Sequence, residues 1–243
     1  MQRKTFNSVL VLTPTLFEAK RLFEDQDADF RYTETSLIAT SCNGKQNRYR
    51  AICGFGLASA GAGAGFRLSQ LTTRGEPDAP VILAGIAGTY QPDKYPVGSV
   101  VCASSVRCFG IGAGSGDEHQ SSESMGWEQG LPLNGLPPAF DFLELFTAPN
   151  STELTGAFLS VASASGNMAE ANSRAAKFPE AAGEEMEGFA VALACRNFGR
   201  PLLMIRGISN VAGERDKEHW KTNEALTAVQ SKLKEVISEL FSA

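Results

Sequence analysis

Three near-continuous apolar runs most constrain what this chain can fold into: SVLVLT (Ser8–Thr13), VILAGIAGTY (Val81–Tyr90) and RPLLMIRGIS (Arg200–Ser209). Each lacks the polar alternation of a strand with one wet face, so each predicts a short strand covered on both sides. Stretches with helical spacing separate them, among them TLFEAKRLFE, ASAGAGAGFRLSQLTT, MAEANSRAAKF, EGFAVALACRNFG and NEALTAVQSKLKEVISELF. Buried strands alternating with helices predict a three-layer α/β/α sandwich around a mixed, mostly parallel central sheet. SLIATSC and NRYRAICG predict a strand pair about the turn dipeptide Asn43-Gly44, and PVGSVVCASSV and GAFLSVASAS predict further strands. LPPAFDFLELF predicts a short helix, and GIAG (Gly85–Gly88) a tight turn closing its strand. Gly110–Gly130 is polar and rich in Gly and Ser, as in a long surface loop or lid. No linker, repeat or composition break divides the chain, so residues 1–243 are expected to form one domain.

Composition removes whole classes of function. The chain is 43% hydrophobic and 20% charged, which argues against wholesale disorder. Its 22 Lys and Arg are scattered against 27 Asp and Glu, net charge -5, with no basic stripe for nucleic acid. The five cysteines, Cys42, Cys53, Cys102, Cys108 and Cys195, show no CxxC or Cys/His ligand spacing, so free thiols in a reducing cytoplasm are expected and no metal or disulfide framework. The N-terminal apolar run is too short for a signal peptide core, and no run is long enough to span a bilayer. The two histidines, His119 and His219, have no partnered nucleophile, and GFGLASAGAGAG lacks phosphate-loop spacing, so no cofactor is expected.

One stretch resists a purely structural explanation. In GEEMEGFAVALAC (Gly183–Cys195) an all-apolar segment follows Glu184, Glu185 and Glu187. Burying an unpaired carboxylate costs several kcal/mol in order of magnitude, so a carboxylate at the mouth of a buried helix needs a partner. In open α/β sheets ligands bind beyond the carboxyl ends of strands. There the chain also carries Glu18, the GIAG segment and Asn210. Singly, each has a plain alternative: a glutamate favoured by the helix dipole, a tight turn, an Asx turn.

Together these segments resemble the nucleoside phosphorylase and methylthioadenosine/adenosylhomocysteine nucleosidase superfamily. FPEAAGEEMEGFAVA has its Phe-Pro, spacer and Glu-Met-Glu heading a buried helix, IRGISNVAG its Arg-x-Ile-Ser-(Asp or Asn) strand end, and ILAGIAGTY its Gly-rich segment. The resemblance runs from about Val9 to Phe241, and GISNVAGERDKEHW is most similar to the futalosine hydrolase branch. It implies a nucleosidase of menaquinone biosynthesis that forms a homodimer or higher homo-oligomer. Glu18 would activate water, and Glu187 would bind the ribose hydroxyls and favour a cationic sugar. Arg206 would orient Glu187 or form a structural ion pair, and Met186 would pack on the sugar. Ile86, Ala87 and Gly88 would lie beside the nucleoside, and Gly166, Asn167 and Met168 near the base.

Residue 210 bears on which purine is bound. The adenine-specific nucleosidases have aspartate there, an acid that donates to N7 and an acceptor for a 6-amino group. An asparagine amide instead donates to a 6-oxo group while its oxygen accepts from a protonated N7. Asn210 therefore points to hypoxanthine or guanine, and futalosine carries hypoxanthine. The superfamily's phosphorylases place arginines in the segments that here read TPTLFEAK and VILAGIAG, without arginine, so water is the expected co-substrate. A purine nucleoside phosphorylase, a methylthioadenosine nucleosidase and a non-catalytic nucleoside-binding protein are the alternatives.

Overall fold

The computed structural model describes residues 6–23, 37–42, 46–133, 135–147 and 154–242. Along the chain run β1 (Ser8–Thr13), α1 (Leu16–Phe23), β2 (Ile38–Cys42), β3 (Gln46–Ile52), α2 (Gly56–Thr73), β4 (Val81–Thr89) and β5 (Val100–Phe109). A small hairpin follows, β6 (Gly112–Ala113) with β7 (Gln120–Ser121). Then come β8 (Phe142–Glu144), β9 (Thr155–Val161), α3 (Met168–Lys177), β10 (Ala181–Glu185), α4 (Gly188–Asn197), β11 (Leu202–Val211) and α5 (Thr222–Ser242). The expected strand pair is β2 and β3, antiparallel, while its turn at Asn43-Gly44 lies outside the described residues.

Among the described residues nine strands form one mixed sheet in the order β10-β9-β5-β11-β4-β1-β3-β2, with β8 beside β5. Because β10 pairs with both β9 and β4, the strands β4, β11, β5, β9 and β10 close into a ring. Strand periodicity explains the layers. On β1, Leu10 and Leu12 pack on the side of α2 and α4 with Leu68, Leu71, Phe189 and Val191. Val9 and Val11 face the other way, against α1 and α5, with Leu22, Phe23, Leu233 and Ile237. β4 and β11 divide likewise, Leu83 and Met204 to the first core, Ile82 and Ile205 to the second. On β11 the close approach of α5 requires Gly207, since a Cβ there would lie 2.5 Å from the Ala225 carbonyl oxygen.

Two expectations change. GIAG does not turn: β4 runs through it to Thr89, paired with β11 up to Val211 around an irregularity between Ile208 and Asn210. LPPAFDFLELF is not a helix, because Phe142–Glu144 adds to β5 as an antiparallel strand. The Gly110–Gly130 loop carries the β6–β7 hairpin, and Asp141 ties it down by accepting from Ser122 Oγ at 2.5 Å and Gln129 Nε2 at 2.8 Å.

Candidate active site

Glu18 owes its place to the start of α1. Thr15 Oγ1 accepts the Glu18 backbone N–H at 3.2 Å and donates to Glu18 Oε2 at 2.6 Å. This caps the helix and turns the carboxylate back over the end of β1. Its other oxygen, Oε1, accepts from the Ile86 N–H at 3.1 Å. Gly85 makes room, for a Cβ there would stand 2.7 Å from Glu18 Oε1 and 2.4 Å from Arg206 Nη1. Burial raises the Glu18 carboxyl above its ordinary value, against the lowering pull of the Thr15 hydroxyl, the Arg206 charge and the Ile86 N–H.

The three glutamates ahead of α4 have three different surroundings. Glu184 is held by Arg174 Nη1 (2.8 Å), Tyr90 Oη (2.7 Å) and the N–H and hydroxyl of Ser165 (2.7 Å each). Glu185 accepts from the N–H groups of Glu187 (3.0 Å) and Gly188 (2.7 Å), which satisfies donors at the start of α4. It also accepts from Ser160 Oγ and pairs with Arg206 Nη2. Glu187 has the fewest of these bonds: the Gly56 N–H at 3.0 Å and Arg206 Nη2 at 3.4 Å. Burial pushes its carboxyl up to about 7, with Arg206 opposing and Glu185 adding to the rise. Arg206 is fully buried, and although burial disfavours its charge, Glu185, Glu187 and Glu18 together raise its pKa.

Asn210 stands at the bulged end of β11 opposite Gly88. Its Oδ1 accepts from Ser209 Oγ at 2.7 Å and its Nδ2 donates to the Val211 carbonyl at 2.8 Å. One amide hydrogen and one oxygen lone pair are left for a ligand.

Glu18, Ile86, Ala87, Gly88, Met186, Glu187 and Asn210 all line one cavity of about 630 Å³ at the carboxyl end of the sheet. That is room for a nucleoside with a further substituent. Four sequence-selected residues are not among those lining it. Arg206 sits behind Glu185 and Glu187 in the α2/α4 side of the core and pairs with Glu185 at shorter range than with Glu187. The segment Gly166–Met168 is occupied in starting α3: the Gly166 N–H donates to Glu170 Oε2, and Asn167 Oδ1 accepts the Glu170 N–H at 3.0 Å. It packs behind Gly213, where a Cβ would lie 2.5 Å from the Asn167 carbonyl oxygen; Gly213, Val161 and Ala164 form that part of the wall instead. Among the described residues no group of His, Cys, Asp or Glu is arranged to hold a metal ion.

The sequence reading missed Phe17, Arg21, Phe55, Arg215, Lys217 and Trp220, which line the same cavity. Phe17 and Arg21 carry a usable signal: they stand one position before and three after Glu18, on the outer side of the same short helix. Arg215, Lys217 and Trp220 fall in GISNVAGERDKEHW, the stretch that carries the resemblance, but nothing local shows that it folds back over the strand ends.

A family model described as the phosphorylase superfamily matches residues 19–242. The chain is 34% identical over 176 residues to a futalosine hydrolase of Streptomyces coelicolor, a span that covers 72% of each. It is 30% identical over 154 residues to a futalosine hydrolase of Acidothermus cellulolyticus, covering 62% of this chain and 61% of that one. Among solved structures, native futalosine hydrolase of Helicobacter pylori aligns at TM-score 0.68 and 17% identity, over 96% of this chain and 98% of that one. The 5′-methylthioadenosine/S-adenosylhomocysteine nucleosidase of Helicobacter pylori aligns at TM-score 0.68 and 16% identity, over 97% and 100%. The last two likenesses speak for the fold.

Proposed function

The chain belongs to the phosphorylase superfamily, on its futalosine hydrolase branch, and from that premise we propose that it hydrolyses the N-ribosidic bond of a 6-oxopurine nucleoside, futalosine, releasing hypoxanthine. The observation that carries this reading is the charge of the cavity floor. Glu18, Glu184, Glu185 and Glu187 all line it, each at most 6% exposed. Arg174 and Arg206 compensate from behind, outside the lining. Such a floor suits a sugar that becomes cationic as its bond to the base breaks, and a neutral water as nucleophile. It is hostile to phosphate, which would bring further negative charge among the carboxylates.

In this reading the ribose lies on Met186 with its hydroxyls at Glu187, and the attacking water is held and deprotonated by Glu18. The purine reaches Asn210, whose remaining amide hydrogen donates to the 6-oxo group and whose remaining lone pair accepts from a protonated N7. The Ser209 hydroxyl supports this by engaging Oδ1. Glu185 holds Arg206 and the start of α4 and takes no part in the chemistry.

We also read residues 1–243 as one domain, supported by a sheet that draws strands from Ser8 to Val211. A homo-oligomer is supported by a strap bearing exposed Trp127, Leu131, Leu133, Leu136, Phe142 and Phe146. A cytoplasmic setting suits the free thiols Cys53, Cys108 and Cys195, and no helix of the described residues is long and apolar enough to cross a membrane.

The test of substrate is a comparison of futalosine, inosine and 5′-methylthioadenosine, each with and without phosphate. Hypoxanthine release from futalosine that ignores phosphate supports the reading. Faster release of adenine from 5′-methylthioadenosine contradicts it.

A further inference from the structure

Four carboxylates line the cavity floor, and hydrolysis gives a role to two of them, Glu18 and Glu187. Glu185 is occupied by Arg206 and by the start of α4. Glu184 has no such duty, although it too opens onto the cavity. Strand register shows where it opens. Glu184 of β10 lies directly across from Gly88 of β4, and Gly88 directly across from Asn210 of β11. Residues directly opposite in a sheet share a face, so the Glu184 and Asn210 side chains flank Gly88. Neighbouring strands lie about 5 Å apart, which separates the two Cα atoms by roughly 10 Å. Gly88 keeps the space between them open, for a Cβ there would lie 3.4 Å from Asn210 Nδ2.

Glu184 is also fixed, with its two oxygens used unequally. Oε2 accepts from three donors, Tyr90 Oη, Ser165 Oγ and Arg174 Nη1. Among the described residues Oε1 accepts only from the Ser165 N–H, at 2.7 Å. A carboxylate oxygen has two lone pairs, so Oε1 has one acceptor position left. Tyr90, Ser165 and Arg174 hold the carboxylate from behind, since none of the three lines the cavity. Arg174 is tied down in turn by the Ser163 carbonyl (2.9 Å) and by Glu170. Val161 and Ala164, which also line the cavity, give the apolar surface that a flat base packs against.

We infer that Glu184 is a second base-reading residue: its Oε1 accepts the N1–H of a 6-oxopurine lying over Gly88, while Asn210 engages N7 and the 6-oxo group. The inference rests on the nucleosidase reading, which brings the purine to Asn210. It adds a discrimination that Asn210 alone lacks. A 6-aminopurine has a lone pair at N1 in place of the N–H and sets it against the carboxylate. A 2-amino-6-oxopurine brings a further N–H group at its 2-position. With Oε2 filled by three donors, that group finds no acceptor on Glu184. The pocket therefore selects hypoxanthine over both adenine and guanine.

The experiment measures binding of free bases to the full chain by isothermal titration calorimetry, with hypoxanthine and 1-deazahypoxanthine as a matched pair. The second has a C–H where the first has N1–H and keeps the same outline. The unmodified protein should bind hypoxanthine roughly 10- to 100-fold more tightly, as for a hydrogen bond to a charged acceptor. Adenine and guanine should both bind more weakly than hypoxanthine. In Glu184→Gln, Arg174 retains the side-chain oxygen and the amide N–H group faces the base. The preference over 1-deazahypoxanthine should then fall below about threefold, and adenine should gain on hypoxanthine by about tenfold. A carboxylate that only neutralises Arg174 gives no such gain for adenine. Equal affinities for the matched pair in the unmodified protein would overturn the inference, whether or not the variant folds. An unchanged adenine-to-hypoxanthine ratio in folded Glu184→Gln would do the same, as would a chain that releases hypoxanthine from futalosine yet does not bind it. A chain that binds none of the four bases and leaves futalosine intact would overturn the nucleosidase reading and the inference with it.

Discussion

Glu187 is a carboxylate whose pKa burial raises from 4.5 to about 7 against the pull of Arg206. The folded state therefore keeps a proton that the unfolded chain releases, and the stability this contributes is present below about pH 4.5 and lost as pH rises through about 7. Activity should run the other way, since the charged form attracts the cationic sugar and Glu18 must also be ionised: kcat/KM should climb with pH through about 7. Glu187→Gln should lower kcat and raise KM, yet increase unfolding stability at pH 8 by roughly 1–3 kcal/mol, read from urea denaturation. Glu18→Gln should reduce kcat by about 10²–10⁴ with KM nearly unchanged, because water activation matters only as the bond breaks. Asn210→Asp should set an acceptor against the 6-oxo group and cost roughly 2–4 kcal/mol there while favouring a 6-amino base. The ratio of kcat/KM for futalosine and its 6-amino analogue measures this, and an unchanged ratio removes Asn210 from base recognition. Singly each of these residues has a plain structural alternative in the sequence; only the joint resemblance of EEMEGFA and IRGISNVAG set them apart, and the fold brings all three to one cavity. Phe17 and Arg21 were missed although they flank Glu18 on α1, and Arg215, Lys217 and Trp220 although GISNVAGERDKEHW stands out by resemblance, because no local pattern shows which way these side chains face once the chain folds.

At the scale of elements, α4 shows how a buried helix can start in a charged segment. Its first N–H groups are met by Glu185 and by Ser160 Oγ, which accepts from the Phe189 N–H at 2.7 Å. Glu185→Ala would remove this cap and leave Arg206 buried without its nearest partner, a loss of roughly 3–5 kcal/mol. A fall in the urea midpoint of matching size checks it, and a change below about 1 kcal/mol would show that the pair is dispensable. The helix itself was legible from FAVALAC, apolar on every side. The preceding β10 was not: AAGEE has poor intrinsic strand preference, and pairing with β9 and β4 overrides it. The same override makes β8 a strand, since three residues beside β5 decide what a short apolar run alone leaves ambiguous.

Over the whole molecule, the layered architecture follows from the apolar runs, but the ring of β4, β11, β5, β9 and β10 depends on β10, the strand that local sequence hides. Closing that ring brings Glu184, Glu185 and Glu187 alongside Gly88 and Asn210 and so gives the cavity floor its charge. The central claim is that this floor admits water and refuses phosphate. Turnover of futalosine in ¹⁸O-labelled water with and without phosphate tests it most directly. The account predicts one labelled oxygen on the sugar carbon that carried the base, no sugar 1-phosphate, and a rate indifferent to phosphate. A sugar 1-phosphate product, or turnover that requires phosphate, would contradict it.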